Sequence, residues 1–281
     1  GVDWIQDYAE SFDLANNAVK TKNGDSFSYE YLVVCPGIQM NIDGIPGLKE
    51  ALGKDGVCSN YTDPEYTWEV LQNFKGGNAL FTQPTTPIKC GGAPQKIAYL
   101  AADYWRKKGM MDKTNVIFAT PGSVIFGVKD FANTLMNVIH RYGIHLKTFY
   151  AIERIDAKNK KVHYRYAEPG DNQCVITEDN VINEEIVGTS EIVVPYDMLH
   201  LAPPQSAPDF VRNSELVIKE GPGAGWVDVD KYTLQHNKYP NIFSLGDVAH
   251  LPTAKTGAAV RKQVPVVVEN ITRLMKSQSI S

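Results

Sequence analysis

The sequence lacks a long apolar run and a block of positive charge. Its longest apolar candidate for a membrane span, residues 264–268, is far shorter than the ~18 residues of a spanning helix and contains Pro265. The chain holds 28 Lys and Arg residues against 32 Asp and Glu residues, so its formal net charge is −4. Because it has no basic patch, nothing in it would attract a nucleic-acid backbone. We therefore predict neither helical membrane spans nor a nucleic-acid partner.

The cysteine and histidine spacings of disulfide-rich and metal-binding proteins are also missing. The four cysteines are too widely spaced for a C-x-x-C motif and too few for a secreted disulfide framework: Cys35, Cys58, Cys90 and Cys174. The six histidines show no spacing such as H-E-x-x-H. These patterns predict an intracellular, reducing compartment and no metal site. The start at Gly1 has neither a Met nor a leader pattern, so we interpret the chain as an excised or processed segment.

The pattern that is present predicts an α/β protein of about two domains for 281 residues. Turn residues and short alternating stretches before residue 31 predict a small antiparallel meander. The apolar run 31–35, closed by Pro36 and Gly37, is typical of a buried parallel strand. Alternating strands and helices follow, with strands at 78–82, 115–120 and 242–245 and helices at 63–74, 93–108, 130–142 and 256–276. The polar stretch 168–191 is interpreted as an exposed excursion.

One candidate site lies where the apolar strand 242–245 ends in Gly246 and Asp247. In doubly wound folds, ligands bind outside the carboxyl ends of the strands. The glycine permits close approach of a ligand to the main chain, and the carboxylate can accept a hydrogen bond from a ribityl hydroxyl. The N-terminus of the helix that begins near Thr256 can stabilise negative charge on a flavin ring. An ordinary turn is the alternative for the Gly-Asp pair.

A second candidate site lies between a strand and a helix at residues 84–96. This is the place of a dinucleotide fingerprint, but no G-x-G-x-x-G occurs there, which disfavours nicotinamide binding. Instead Cys90 stands three residues before the helix start and next to Lys89, two features that favour a nucleophilic thiolate. An inert, half-buried cysteine is the alternative. Cys58 precedes the helix at 63–74. Two interpretations of it remain open: a disulfide or polysulfide bridge with Cys90, and a solitary loop thiol.

Two histidines are considered as possible members of these sites. His200 lies on an apolar strand, which favours a core histidine over one that faces a flavin. His250 follows the Gly-Asp pair by three residues and is the better candidate for a group facing the site.

An ordered set of motifs resembles the sulfide:quinone oxidoreductase family, in particular its mitochondrial-type branch. The segments are YEYLVVCPG at 29–37, TPIKCGGAPQK at 86–96, GWVDVD at 225–230, YPNIFSLGD at 239–247 and LPTAKT at 251–256. The resemblance implies a Rossmann-like fold of the two-dinucleotide-binding-domain flavoproteins. It divides this chain into a partial FAD-binding domain, residues 1–58 and 196–281, and a complete second Rossmann-like domain, residues 59–195.

The resemblance also implies a mechanism. In this family a pair of redox cysteines takes up sulfide sulfur and passes two electrons through FAD to a quinone. Cys90 resembles one of the pair, with Cys58 as a further candidate. The usual partner follows the Gly-Asp pair, where this chain has Val248, and a cysteine there would be expected to restore a two-thiol site. The residues expected to hold FAD are Gly37, Gly246, Asp247, Lys255 and Thr256.

The resemblance further implies that parts of the family's FAD and membrane-facing regions lie outside this chain. The isolated chain is therefore expected to be soluble, inactive and without retained FAD, while the parent protein would contact a membrane peripherally. One alternative is a flavoprotein similar to type II NADH dehydrogenase, although that would require glycines at residues 87–90. Another is a diverged, non-catalytic binding or scaffold homologue.

Overall fold

The computed structural model describes residues 1–166 and 178–281 and divides them into two compact units. Unit 1 comprises Gly1–Met40 and Gln205–Ser281, and unit 2 comprises Asn41–Pro204. This division differs from the one predicted, because residues 41–58 and 196–204 lie in unit 2. The reason is strand pairing, since the strands near residues 57 and 200 hydrogen-bond within the sheet of unit 2.

Unit 1 begins with five short strands: β1 Ala9–Asp13, β2 Ala18–Thr21, β3 Ser26–Ser28, β4 Leu32–Val34 and β5 Gln39–Met40. The first three form an antiparallel sheet in the order β1-β2-β3, which confirms the predicted meander.

Unit 2 contains α1 Leu48–Ala51, β6 Val57–Cys58, α2 Pro64–Asn73, β7 Gly77–Thr82, α3 Ala93–Lys107, β8 Thr114–Ala119, α4 Lys129–Tyr142, β9 His145–Lys147, β10 Tyr150–Asp156, β11 Lys161–Tyr166, β12 Glu185–Val187, β13 Glu191–Pro195 and β14 Met198–Leu201. Its parallel sheet has the order β6-β14-β7-β8-β9, and an antiparallel sheet has the order β10-β11-β13-β12. The polar stretch at 168–191 was expected to be an exposed excursion, and near its end lies β12, which pairs with β13. Residues 167–177 of that stretch lie outside the described residues.

The parallel sheet of unit 2 is covered on both faces, as parallel sheets require. Successive side chains of a strand point to opposite faces. Leu80 therefore packs into one core with Tyr164 of the antiparallel sheet, and Phe81 packs into the other with Trp105 of α3. The Trp105 indole also donates a hydrogen bond of 3.1 Å to the Leu71 carbonyl, which ties α3 to α2.

The chain then returns to unit 1 with β15 Gln205–Ser206, α5 Asp209–Arg212, β16 Ile242–Ser244 and α6 Gly257–Met275. Strand β16 pairs in parallel with β4, and β15 pairs antiparallel with β5. Helix α6 continues through Pro265. In the described part of the chain, no helix has both the length and the apolar character needed to cross a bilayer.

Candidate functional site

The parallel pair β4 and β16 brings two predicted site residues to one edge of unit 1. Val34 aligns with Ser244, and the Ser244 hydroxyl donates a hydrogen bond of 2.6 Å to the Val34 carbonyl. Gly37 follows β4 and Gly246 follows β16, both with left-handed φ, at 82° and 76°. The carboxyl ends of parallel strands lie at the same edge of a sheet, so both glycines belong to the edge where α/β folds bind ligands.

The turn after β16 holds Asp247 in a defined place. Residues 246–248 form one turn of 3-10 helix, and the Gly246 amide donates a hydrogen bond of 2.8 Å to the Gln263 side chain of α6. Asp247 is buried, with 8% of its surface exposed. The sequence showed the Gly-Asp pair, but gave no sign that α6 would fix it through Gln263.

Helix α6 begins beside this loop with a side-chain cap. The Thr256 hydroxyl accepts a hydrogen bond of 3.2 Å from the Ala259 amide, as the sequence pattern of a helix start predicts. A side chain added at Gly257 would meet nothing within 4 Å. The main chain at Gly257, the first residue of this 19-residue helix, therefore has open space beside it.

Lys255 lies directly before that cap and is half-buried. Its ammonium donates hydrogen bonds to the carbonyl oxygens of Asp247, at 2.5 Å, and Ala249, at 3.3 Å. It also lies 3.7 Å from the centre of the Trp226 ring. Burial lowers the pKa of Lys255 to about 8, and the nearby Asp247 carboxylate opposes that shift.

Val248 stands where the resemblance implies a cysteine, and it belongs to the core. It is fully buried among apolar residues that include Trp226 and Ala249. Its carbonyl accepts a hydrogen bond of 3.1 Å from the Val227 amide. A thiol placed there would point into packed side chains, so the two-thiol site that a cysteine at this position was expected to restore does not follow from this environment.

Cys90, in unit 2, lies on the loop between β7 and α3. Its side chain is exposed, and its φ of 55° is left-handed, which few residues other than glycine adopt. Its carbonyl accepts a hydrogen bond of 2.8 Å from the amide of Ala93, the first residue of α3. The structure therefore places this thiol at the helix start that the sequence predicted.

Two side chains that the sequence did not indicate hold the main chain on either side of Cys90. The Tyr61 hydroxyl donates a hydrogen bond of 2.9 Å to the Lys89 carbonyl. The Gln83 amide donates one of 3.3 Å to the Gly91 carbonyl. No local pattern in the sequence indicates either contact, because Tyr61 lies 28 residues before Lys89.

Cys58 has the opposite environment. It is 1% exposed, lies on edge strand β6 beside His200, and forms no disulfide with Cys90. Burial raises the pKa of the Cys58 thiol to about 12, partly offset by a hydrogen bond with Thr67. Its thiol therefore stays neutral at ordinary pH, and the structure does not bring it together with Cys90 as a bonded pair.

The remaining candidates lie in different places. Cys35 is exposed and follows β4 in unit 1, and Cys174 is outside the described residues. His200 is 1% exposed; its Nε2 accepts a hydrogen bond of 3.1 Å from the Asn60 amide, and burial lowers its pKa to about 4. His200 is thus a core histidine. His250 is exposed and lies against Gly223.

Comparison with solved structures identifies the class of fold. The sulfide:quinone oxidoreductase of the bacterium Aquifex aeolicus matches with a TM-score of 0.73 and 21% identity, covering 97% of this chain and 61% of that one. A chain of the Tetrahymena thermophila mitochondrial ATP synthase matches with a TM-score of 0.75 and 22% identity, covering 99% of this chain and 64% of that one. At these identities the likeness concerns the fold alone. The fold is that of the two-dinucleotide-binding-domain flavoproteins, as predicted.

Sequence similarity points to the same family. The mitochondrial sulfide:quinone oxidoreductase of Mus musculus is 41% identical over 281 residues, which are 99% of this chain and 57% of that protein. No protein-family model matches the chain. The chain is similar to the sulfide:quinone oxidoreductases over nearly its whole length, which confirms the resemblance seen in the sequence, and it spans a little over half the length of its mouse relative.

Proposed function

We propose that the protein is an FAD-dependent oxidoreductase that oxidises sulfide and passes the electrons to a quinone, with Cys90 as its reactive thiol. The observation that carries the proposal is the exposed Cys90 in a left-handed conformation at the start of α3, in a chain 41% identical to a mitochondrial sulfide:quinone oxidoreductase. Strained conformations in proteins cluster at functional sites.

The residues at the edge of unit 1 fit a flavin cofactor. Side chains added at Gly37 or Gly257 would meet nothing within 4 Å, so a ligand can approach the main chain at both places. We assign the binding of FAD to Gly37, Gly246, Asp247 and the α6 start at Thr256, with Asp247 accepting a hydrogen bond from a cofactor hydroxyl. When bound, FAD supplies a two-electron acceptor.

The thiol chemistry requires one cysteine at the sulfur-binding step. The Cys90 thiolate and a hydrosulfide ion form an S–S bond, which yields a persulfide, one proton and two electrons for the flavin. The electrons and two protons then convert the quinone to a quinol. Buried Cys58 and the buried side chain at Val248 offer no second thiolate, so we assign the role to Cys90 alone. A thiol acceptor in solution would take the outer sulfur and regenerate Cys90.

A quinone is apolar and is delivered from a lipid bilayer. We therefore propose that the natural protein works at the surface of a membrane, in agreement with the mitochondrial location in the name of its mouse relative. The loop from Gln83 to Gly92 carries Pro84 and Pro87 where a nicotinamide pyrophosphate would need closely spaced glycines, so NADH is not the donor we propose.

The test uses the full-length natural protein under anaerobic conditions. We expect a flavin spectrum that sulfide bleaches and a quinone restores, whereas NADH leaves it unchanged. Cys90→Ser should abolish bleaching by sulfide, and Cys35→Ser, which removes another exposed thiol, should not. Bleaching by NADH instead of sulfide would favour the dehydrogenase alternative, and a protein without flavin would favour the scaffold alternative.

A further inference from the structure

The ammonium group of Lys255 connects the two ends of one loop. It donates hydrogen bonds to the carbonyls of Asp247 and Ala249, eight and six residues earlier in the chain. These two carbonyls flank Val248, so the contacts hold the main chain of the turn that carries Asp247. A cation makes stronger hydrogen bonds to carbonyls than a neutral donor does.

The same ammonium group also contacts the segment on which this turn rests. It lies 3.7 Å from the centre of the buried Trp226 ring. The next residue is Val227. Its amide donates a hydrogen bond of 3.1 Å to the Val248 carbonyl, and its carbonyl accepts one of 3.0 Å from the His250 amide. Lys255 therefore joins the turn, its own loop and the supporting segment at one point.

We propose that Lys255 is a positioning residue, which fixes the turn at Gly246–Val248 so that Asp247 is held at the carboxyl edge of β16, and which does not itself contact the flavin. That the positioned ligand is a flavin rests on the proposed function; the bracing of the turn does not. The resemblance implied that Lys255 helps to hold FAD, but the contacts of the ammonium group are with carbonyl oxygens and an indole. The lowered pKa of Lys255 agrees with its enclosed position.

Hydrogen exchange in the full-length natural protein tests the bracing without reference to activity. Lys255→Met keeps an unbranched side chain of similar length but removes the charge and every donor. We expect the Val227, Ala249 and His250 amides to exchange about tenfold faster, the order of a lost charge-assisted hydrogen bond. Amides of helix α3, which belongs to the other unit, should keep their rates. The matched control is Lys262→Met, an exposed lysine of α6, which should change none of them.

A rescue variant separates positioning from general destabilisation. Lys255→Arg keeps cationic donors and should keep exchange within about threefold of the wild type. If Lys255→Met does not fold, Lys255→Gln provides a shorter, neutral donor and should show intermediate exchange. Unchanged exchange in the Met and Gln variants would overturn the proposal, and so would an Arg variant that exchanges as fast as the Met variant.

Flavin content forms a second, separate readout. With the proposed function correct, Lys255→Met should weaken FAD binding about tenfold, and Lys255→Arg should restore it. FAD affinity equal to wild type in Lys255→Met would overturn the positioning role. If the wild-type protein binds no flavin, the proposed function fails, while faster exchange at residues 246–250 would still support the bracing.

Discussion

The Tyr61 hydroxyl donates a hydrogen bond of 2.9 Å to the carbonyl of Lys89, the residue directly before Cys90. Together with Gln83, which holds the Gly91 carbonyl on the other side, it fixes the main chain around a cysteine with a φ of 55°. The left-handed conformation costs a residue with a Cβ about 1–2 kcal/mol, so contacts of this kind are needed to maintain it.

We predict that Tyr61→Phe slows alkylation of Cys90. Loss of the hydroxyl frees the Lys89 carbonyl, and a hydrogen bond of ordinary net strength corresponds to a three- to tenfold change, roughly, in the population of the exposed conformation. Peptide mapping after brief treatment with iodoacetamide measures the rate. Exposed Cys35 provides an internal reference in the same molecule.

The control for this variant is Tyr104→Phe, also in unit 2. Its ring packs edge-on against Trp68 at 5.1 Å, which phenylalanine preserves. We expect it to leave the ratio of Cys90 to Cys35 labelling at the wild-type value. Equal ratios in the two variants would show that Tyr61 does not position the thiol.

Cys58 is predicted to be unreactive in the folded protein. It is 1% exposed and its pKa is raised to about 12 by burial, so both access and the thiolate form are lacking. Maleimide labelling followed by mass mapping should modify Cys58 only in guanidinium, while Cys35 and Cys90 react without denaturant. Labelling of Cys58 at the native rate of Cys35 would contradict its assignment to the core.

Much of the fold follows from local sequence patterns, because those patterns act within one helix or strand. The sequence predicted a helix at 63–74, and α2 begins at Pro64, where the Asp63 carboxylate accepts a hydrogen bond of 2.8 Å from the Tyr66 amide. Gly143 ends α4 with a left-handed φ of 62°, as predicted.

Features that depend on distant pairing could not be predicted in this way. Strands β6 and β14 join one sheet although His200 lies 142 residues after Cys58 in the chain, and this pairing moves the boundary between the units. The direction of the Lys255 ammonium group depends on Trp226, which lies in a different segment of unit 1. The sequence identified residue types that are able to form the site. The contacts that each of them makes could be identified only in the folded chain.

The buried His200 predicts loss of stability in mild acid. Its pKa is about 4 in the folded chain and 6.5 in its ordinary state, so between these values the unfolded chain binds a proton that the folded chain does not. Stability therefore falls as the pH drops from about 6.5 to 4, by an amount of the order of 3 kcal/mol. Urea unfolding at several pH values measures this slope.

Comparison with variants separates the contribution of His200 to the loss of stability in acid from the contributions of other titratable groups. His200→Gln retains an acceptor for the Asn60 amide and cannot titrate, so its stability should fall less over this range. The exposed His140 provides the control, and His140→Gln should follow the wild-type slope. Parallel slopes for all three proteins would mean that His200 accepts a proton without cost in the folded state.

The last prediction concerns Val248→Cys, which introduces the residue type that the resemblance implied after the Gly-Asp pair. Val248 is fully buried among apolar side chains, so the new thiol should be enclosed and the smaller side chain should cost about 1 kcal/mol of stability. Ellman's reagent should count no additional thiol under native conditions and one more in denaturant. Val268→Cys, at a position 58% exposed on α6, should add one reactive thiol without denaturant. A native count raised by one in Val248→Cys would mean that this side chain can turn out of the core.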